Sequence, residues 1–302
     1  MSAKSSPALA IAAALITLLF WGGTAIANRY AVGFADPITV ATLRSLLAGL
    51  LALIIAVALK LKVPSGTGDR SLLLASGLSS FALWPIFLSL GLERTTASHA
   101  ALIMATLPII TVILASIVNR TTPAPAWWIG AVAALVGAIW LILGQGASLG
   151  VADSRSAAIG DLIILVGCVI CASGYVAGAK LTPKIGTFAT TFWGLAAALF
   201  LTVPIFAFYQ QDTDWAAVPI AAWWSIAWLT ICSSLLGYLL WFYALGHGGI
   251  EKVGSLQLLM PVITLVGAVL ILDEVLTPQL VALSVLVLFG TVVAHRYSTR
   301  DQ

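Results

Sequence analysis

The stretch M-P-V-I-T-L-V-G-A-V-L-I-L-D-E-V-L-T-P, Met260–Pro278, has a counterpart in the first half of the chain: L-P-I-I-T-V-I-L-A-S-I-V-N-R-T-T-P-A-P, Leu107–Pro125. At an offset of 153 residues Pro108 falls on Pro261, Ile110 on Ile263, Thr111 on Thr264, Ala115 on Ala268 and Pro125 on Pro278. Further along, Val132 falls on Val285, Leu135 on Leu288 and Gly137 on Gly290. At an offset of 151, Gly23 falls on Gly174 and Arg29 on Lys180. Aliphatic matches arise by chance in an apolar chain. Matched prolines and glycines carry more weight, because they mark the same kink and boundary in both copies.

The chain around this repeat has 302 residues, of which 61% are hydrophobic and 8% charged, with a mean hydropathy of +1.09. A soluble domain carries about 25% charged residues. The composition therefore excludes a disordered chain, a nucleic-acid binder and a water-soluble enzyme. A bilayer crossing takes roughly 20 apolar residues. Apolar runs between charged or Pro/Gly breaks predict ten crossings. They fall at 8–28, 38–59, 71–92, 95–118 and 125–144, then at 159–179, 186–209, 220–246, 249–272 and 278–295. The fold class is thus an all-α integral membrane protein. Two five-helix repeats, 8–144 and 159–296, flank a linker at 145–158. Five is odd, so the second repeat enters the membrane opposite to the first. Inverted repeats of this kind place a substrate site near the midplane and work by alternating access.

Orientation follows from the basic residues. With the N-terminus inside, ten Lys and Arg fall on inner segments, three on outer ones, and Arg44 lies within the second crossing. That asymmetry predicts both termini on the cytoplasmic side. Trp127–Trp128 and Trp223–Trp224 open the fifth and eighth crossings and read as interface anchors. Cys168 and Cys171, one helical turn apart, cannot complete a four-ligand zinc site and read as small packing residues.

Several stretches, taken in order, resemble the EamA-type drug/metabolite transporter superfamily. They are F-W-G-G at Phe20–Gly23, A-T-L-R-S-L-L-A at Ala41–Ala48, A-S-H-A-A-L-I-M-A-T-L-P at Ala97–Pro108, V-G-S-L-Q-L-L-M-P at Val253–Pro261 and D-E-V-L-T-P at Asp273–Pro278. The first half departs from the last pattern, with Asn119–Thr122 in place of the acidic pair. The resemblance implies a ten-helix carrier in a bacterial inner membrane that exports small metabolites. Within the superfamily, general likeness points to YddG-type aromatic amino-acid exporters.

Candidate cavity residues come from the chain itself, since polar groups and kinks within a crossing need a reason. Trp21 and Asn28 share a helical face next to Gly22 and Gly23. Phe81, Trp84 and Phe87 form a stripe beside Pro85, which removes a backbone hydrogen bond and invites a kink. Pro108 and Pro261 are expected to break the fourth and ninth crossings at matching depth as gating kinks, near His99 and Met104 in one and Ser255, Gln257 and Met260 in the other. Tyr175, Tyr238 and Trp241 add flat rings suited to an aromatic or bulky aliphatic solute. His99 has three readings, as a hydrogen-bonded packing residue, a proton-sensitive gate or a substrate contact, and is placed with the cavity lining. Arg44 is expected to pair with an acid such as Asp161 or to snorkel outward, and Lys252 to snorkel.

An intramembrane enzyme is disfavoured, since no crossing carries paired carboxylates and no H-E-x-x-H motif occurs. The chain has no P-loop, so ATP is not expected to drive it. No metal or other cofactor is expected. The partners are a small-molecule substrate and the lipid bilayer. A proton is an open third, through His99, Asp161, Glu251 or Lys252. A monomer is expected, with a dimer as the alternative. A multidrug carrier of the same fold and a non-transporting membrane scaffold compete with amino-acid export.

Overall fold

The computed structural model describes residues 7–143, 154–248, 256 and 259–298. Among them, nine helical stretches of 19 to 31 residues are long and apolar enough to cross a bilayer, and Met260–Leu272 is a shorter apolar helix. The first half comprises α1 (Pro7–Ala31), α2 (Pro37–Ala58), α3 (Thr67–Gly77), a π-helical segment Leu78–Leu83, α4 (Trp84–Leu92), α5 (Ala97–Met104), α6 (Leu107–Asn119) and α7 (Pro125–Leu143). The second half comprises α8 (Ser154–Ile185), α9 (Thr187–Ala197), α10 (Leu199–Tyr209), α11 (Ile220–Ala227), a π-helical segment Trp228–Leu236, α12 (Gly237–Gly248), α13 (Met260–Leu272) and α14 (Pro278–Ser298). The sixth crossing extends beyond the expected 159–179 at both ends. Of the ninth, α13 is described, whereas Glu251, Lys252, Ser255 and Gln257 lie outside the described residues.

The repeat is visible in the backbone. Arg120 ends α6 in the left-handed region at φ 55°, and Asp273 ends α13 at φ 54°. Pro108 and Pro261 each sit in the first turn of their helices, where a missing N–H costs nothing. The fourth crossing is broken at Ala105–Thr106, before Pro108. The third and eighth crossings, also equivalent under the repeat, both contain a π-helical segment. In the third, Pro85 has no N–H and would crowd the carbonyl four residues back. The turn before it widens, and the Trp84 N–H reaches Ser79 O, five residues back. In the eighth, Gly237 N–H likewise reaches Cys232 O, and the Ser234 hydroxyl donates to Leu229 O at 2.8 Å.

The halves interlock. α1 packs on α11, the second π segment, α12 and α13 of the other half. Its counterpart α8 packs on α3, the first π segment, α4, α5 and α6. α2 meets α9 and α10, and α7 lies along α14. Small residues permit this closeness. A Cβ at Gly290 would lie 2.5 Å from Ala134 N and 2.6 Å from Gly130 O, so only glycine lets α14 approach α7 so closely. Large apolar side chains such as Phe200, Trp224 and Leu270 point outward, as a lipid-facing surface requires.

Candidate functional site

Where the halves meet, two adjoining chambers open inside the bundle. The larger has a volume of about 350 Å³, at the low end for small-molecule pockets. Its described walls come from α5, α6, α7, α8, α13 and α14 and include Pro108, Trp127, Pro261, Thr291 and His295. The smaller, of about 90 Å³, is walled by Trp21, Phe81, Trp84 and Tyr238 and by Thr24, Arg44, Ser45, Ser80, Ser233 and Ser234, with Pro85 beside them. Met104, Leu107, Tyr175 and Met260 border both. Tyr175 keeps 37% of its surface accessible in mid-helix because it faces these spaces.

The rings of the small chamber brace one another. Trp21 lies 5.3 Å from Tyr238, and Phe81 lies 5.5 Å from Tyr238, both edge to face. The Trp21 indole N–H donates to Ser233 O at 3.0 Å. Thr24 and Ser233 hydroxyls share a hydrogen bond of 2.8 Å. The widened turns supply the polar groups: Ser80 comes from one π segment, and Ser233 and Ser234 from the other. Gly23 and Gly174 hold the geometry symmetrically. A Cβ at Gly23 would lie 3.0 Å from the Trp228 ring, and one at Gly174 would lie 3.0 Å from Ser79 Cβ. Each lets the first helix of one half approach the wide turn of the other. Thr264, the repeat partner of Thr111, donates to Gly22 O at 2.8 Å and ties α13 to α1.

Of the residues singled out from the sequence, Trp21, Trp84, Pro85, Met104, Pro108, Tyr175, Tyr238, Met260 and Pro261 gather on these chambers. Four others are placed elsewhere. Asn28 joins α1 to α4, accepting a hydrogen bond of 2.9 Å from Ser89. Phe87 packs on Gly167 of α8. Trp241 is buried against Trp21, 5.3 Å away, behind the chamber wall. His99 is buried in a pair with Asp161, its Nδ1 2.8 Å from the carboxylate, which also accepts from Thr95 at 2.6 Å.

Two further expectations need correction. Arg44 does not pair with Asp161, which His99 and Thr95 occupy, and does not snorkel, being 6% exposed. Trp127 is not an interface anchor. It is buried on the large chamber, while Trp128 alone faces outward. The serines Ser80 and Ser233 were missed, although they are spaced by the repeat offset of 153. Carrying the comparison at that offset upstream of Pro108 brings them into register.

At the end of the bundle opposite the N-terminus the halves are fastened together. The Glu274 carboxylate, between α13 and α14, accepts from Ala97 N–H at 2.7 Å and Ser98 N–H at 2.9 Å, the exposed donors at the start of α5. The His99–Asp161 pair lies just below. The large chamber instead extends toward the other end, where α7 begins and α14 finishes.

Two interlocked, inverted five-helix halves around an internal chamber define a membrane carrier. The chain belongs to the EamA-like transporter family, whose pattern matches residues 8–143 and again 158–295. It is similar to the Uncharacterized transporter YdeK of Bacillus subtilis, with 31% identity over 94% of this chain and 96% of that protein. The Uncharacterized transporter YyaM of the same organism is 27% identical over 94% of each chain. An Archaeoglobus fulgidus transporter is 27% identical over 93% of this chain and 96% of its own. A crystal structure with 20% identity shares the fold, with a TM-score of 0.65 over 98% of this chain and 99% of that one.

Proposed function

We propose that this transporter exports small amphipathic metabolites, foremost aromatic and bulky apolar amino acids, from a bacterial cytoplasm across the inner membrane by alternating access. The observation that carries this reading is the small chamber at the junction of the halves, where four aromatic rings face a cluster of hydroxyls. Such a wall takes up a flat apolar group, while the hydroxyls orient a polar one. The basic residues favour both termini in the cytoplasm. On that orientation, the Glu274 fastening closes the outer end and the large chamber leads inward.

The test is reconstitution in liposomes loaded with labelled phenylalanine, tryptophan, threonine or a cationic dye, with and without a pH gradient. Saturable efflux of the two aromatic amino acids is expected. Efflux of the dye alone would replace this reading with a multidrug carrier, and no efflux of any of them would overturn it. An effect of the gradient on a saturable rate would assign proton linkage, and its absence facilitated export.

A further inference from the structure

Arg44 has no carboxylate partner among the described residues. It sits seven residues into α2, roughly 10 Å along the helix at 1.5 Å per residue, and is 6% exposed. A buried cation is costly unless it is paired and hydrogen-bonded. Its one side-chain hydrogen bond among the described residues, Nη2 to Ser234 Oγ, is long at 3.4 Å, against roughly 2.7–2.9 Å for a charge-assisted bond. Among the described residues the buried Nε donor has no partner, and neither has the hydroxyl of the next residue, Ser45. Both residues line the small chamber, together with Ser80, Ser234 and Tyr238. The described lining contains no Asp or Glu.

From this we infer that Arg44 is the anchor for a carboxylate on the transported molecule, and that the chamber recognises an aryl or alkyl carboxylate whether or not it bears an amino group. The inference rests on the amphipathic-substrate reading above and narrows it. A guanidinium presents a planar fork of donors that matches a carboxylate in two parallel hydrogen bonds. A carboxylate at Arg44 satisfies the idle Nε, accepts from Ser45 and neutralises the buried charge. Its apolar remainder then lies along Trp21, Phe81 and Trp84 toward Met104 and Met260. An ammonium group finds no counter-charge on this described lining, so it adds nothing to binding. The same fixed positive charge repels cationic dyes.

The experiment is ligand-induced thermal stabilisation of the purified full-length protein in detergent. The aromatic acids are phenylalanine, N-acetylphenylalanine and 3-phenylpropionate. Phenylalaninamide and phenylethylamine lack the carboxylate, and leucine and 4-methylpentanoate lack the ring. The acids with and without an amino group are expected to bind within a few-fold of one another. The amide and the amine should bind at least tenfold more weakly. In Arg44→Gln the acids should lose at least tenfold in apparent affinity, and Arg44→Lys should fall between. The inference is overturned if the amide or amine matches the acids, if no carboxylate stabilises the wild type, or if Arg44→Gln binds the acids unchanged. The ligand series on the wild type decides the matter even if Arg44→Gln fails to fold. Equal binding of aromatic acid, amide and amine overturns the Arg44 anchor and leaves the aromatic reading standing. Binding of the aliphatic acids alone supports the anchor and removes the aromatic reading.

Discussion

At the scale of single residues, the costliest groups in this bundle are its buried ionisable side chains, and each is handled differently. Arg44 faces a chamber. His99 and Asp161, each 1% exposed, face each other, joining α5 of one half to α8 of the other. Removing one partner of such a pair leaves the other buried without compensation, at a cost of about 3–5 kcal/mol. Among the described residues, His99→Ala leaves the Asp161 carboxylate with the Thr95 hydroxyl alone. Asp161→Asn keeps an amide oxygen to accept from Thr95, for a loss of about 1–3 kcal/mol. The expected order of melting temperature in detergent is wild type, then Asp161→Asn, then His99→Ala. Equal melting of His99→Ala and wild type would show that the pair contributes nothing. The sequence held a hydrogen-bonded packing role for His99 among three readings but did not give its partner. The sequence reading has Arg44 pairing with an acid such as Asp161 or snorkelling outward. Which charges meet depends on how distant helices pack, and the spacing along one helix holds no information on that.

At the scale of elements, the repeat was legible because it is written in prolines and glycines, which act on the backbone directly. Pro108 and Pro261 each head a helix, and α6 and α13 both finish in a left-handed cap. The π-helical turns were only half legible. Pro85 marks the first, whereas the second contains no proline and rests on packing and on the Ser234 hydroxyl bonded to Leu229 O. Trp127 shows the limit of reading an aromatic pair at a helix start. Its neighbour Trp128 faces outward, but Trp127 lies on the chamber between α6, α7 and α14. The break in the fourth crossing has a mechanical consequence. A helix interrupted at Ala105–Thr106 can bend there without sacrificing hydrogen bonds along its length. Pro108→Ala restores a donor and favours continuation of the helix through this break, and Pro261→Ala restores the equivalent donor in the first turn of α13. Both variants should reach the membrane at near-normal levels while their initial efflux rates fall about three- to tenfold. Unchanged rates in both would remove the prolines from the gating motion.

At the scale of the whole molecule, the alternating-access reading proposed above requires the two ends of the bundle to be mutually exclusive openings. One end is fastened by Glu274 on the start of α5, and the large chamber reaches toward the other. A two-state carrier of this kind is shifted only by interactions that differ between its states. The Glu274 hydrogen bonds cross between the halves, so they differ if opening separates α5 from the α13–α14 turn. Glu274→Gln keeps one acceptor but loses the charge that favours the α5 N-terminus, a loss of about 1 kcal/mol. That is a roughly five-fold shift in a two-state population. The population can be read at His295, on the large chamber near the end of α14. In a background with Cys168, Cys171 and Cys232 replaced, His295→Cys should react with an impermeant maleimide from the side that carries the N-terminus. Adding Glu274→Gln should slow that reaction several-fold, because the population moves toward the state open at the opposite end. Ser98→Cys, beside the fastening, should react faster from the opposite side by a similar factor. The two changes must run in opposite directions. If both sites became more reactive together, Glu274 would be holding the bundle intact rather than choosing between its two openings.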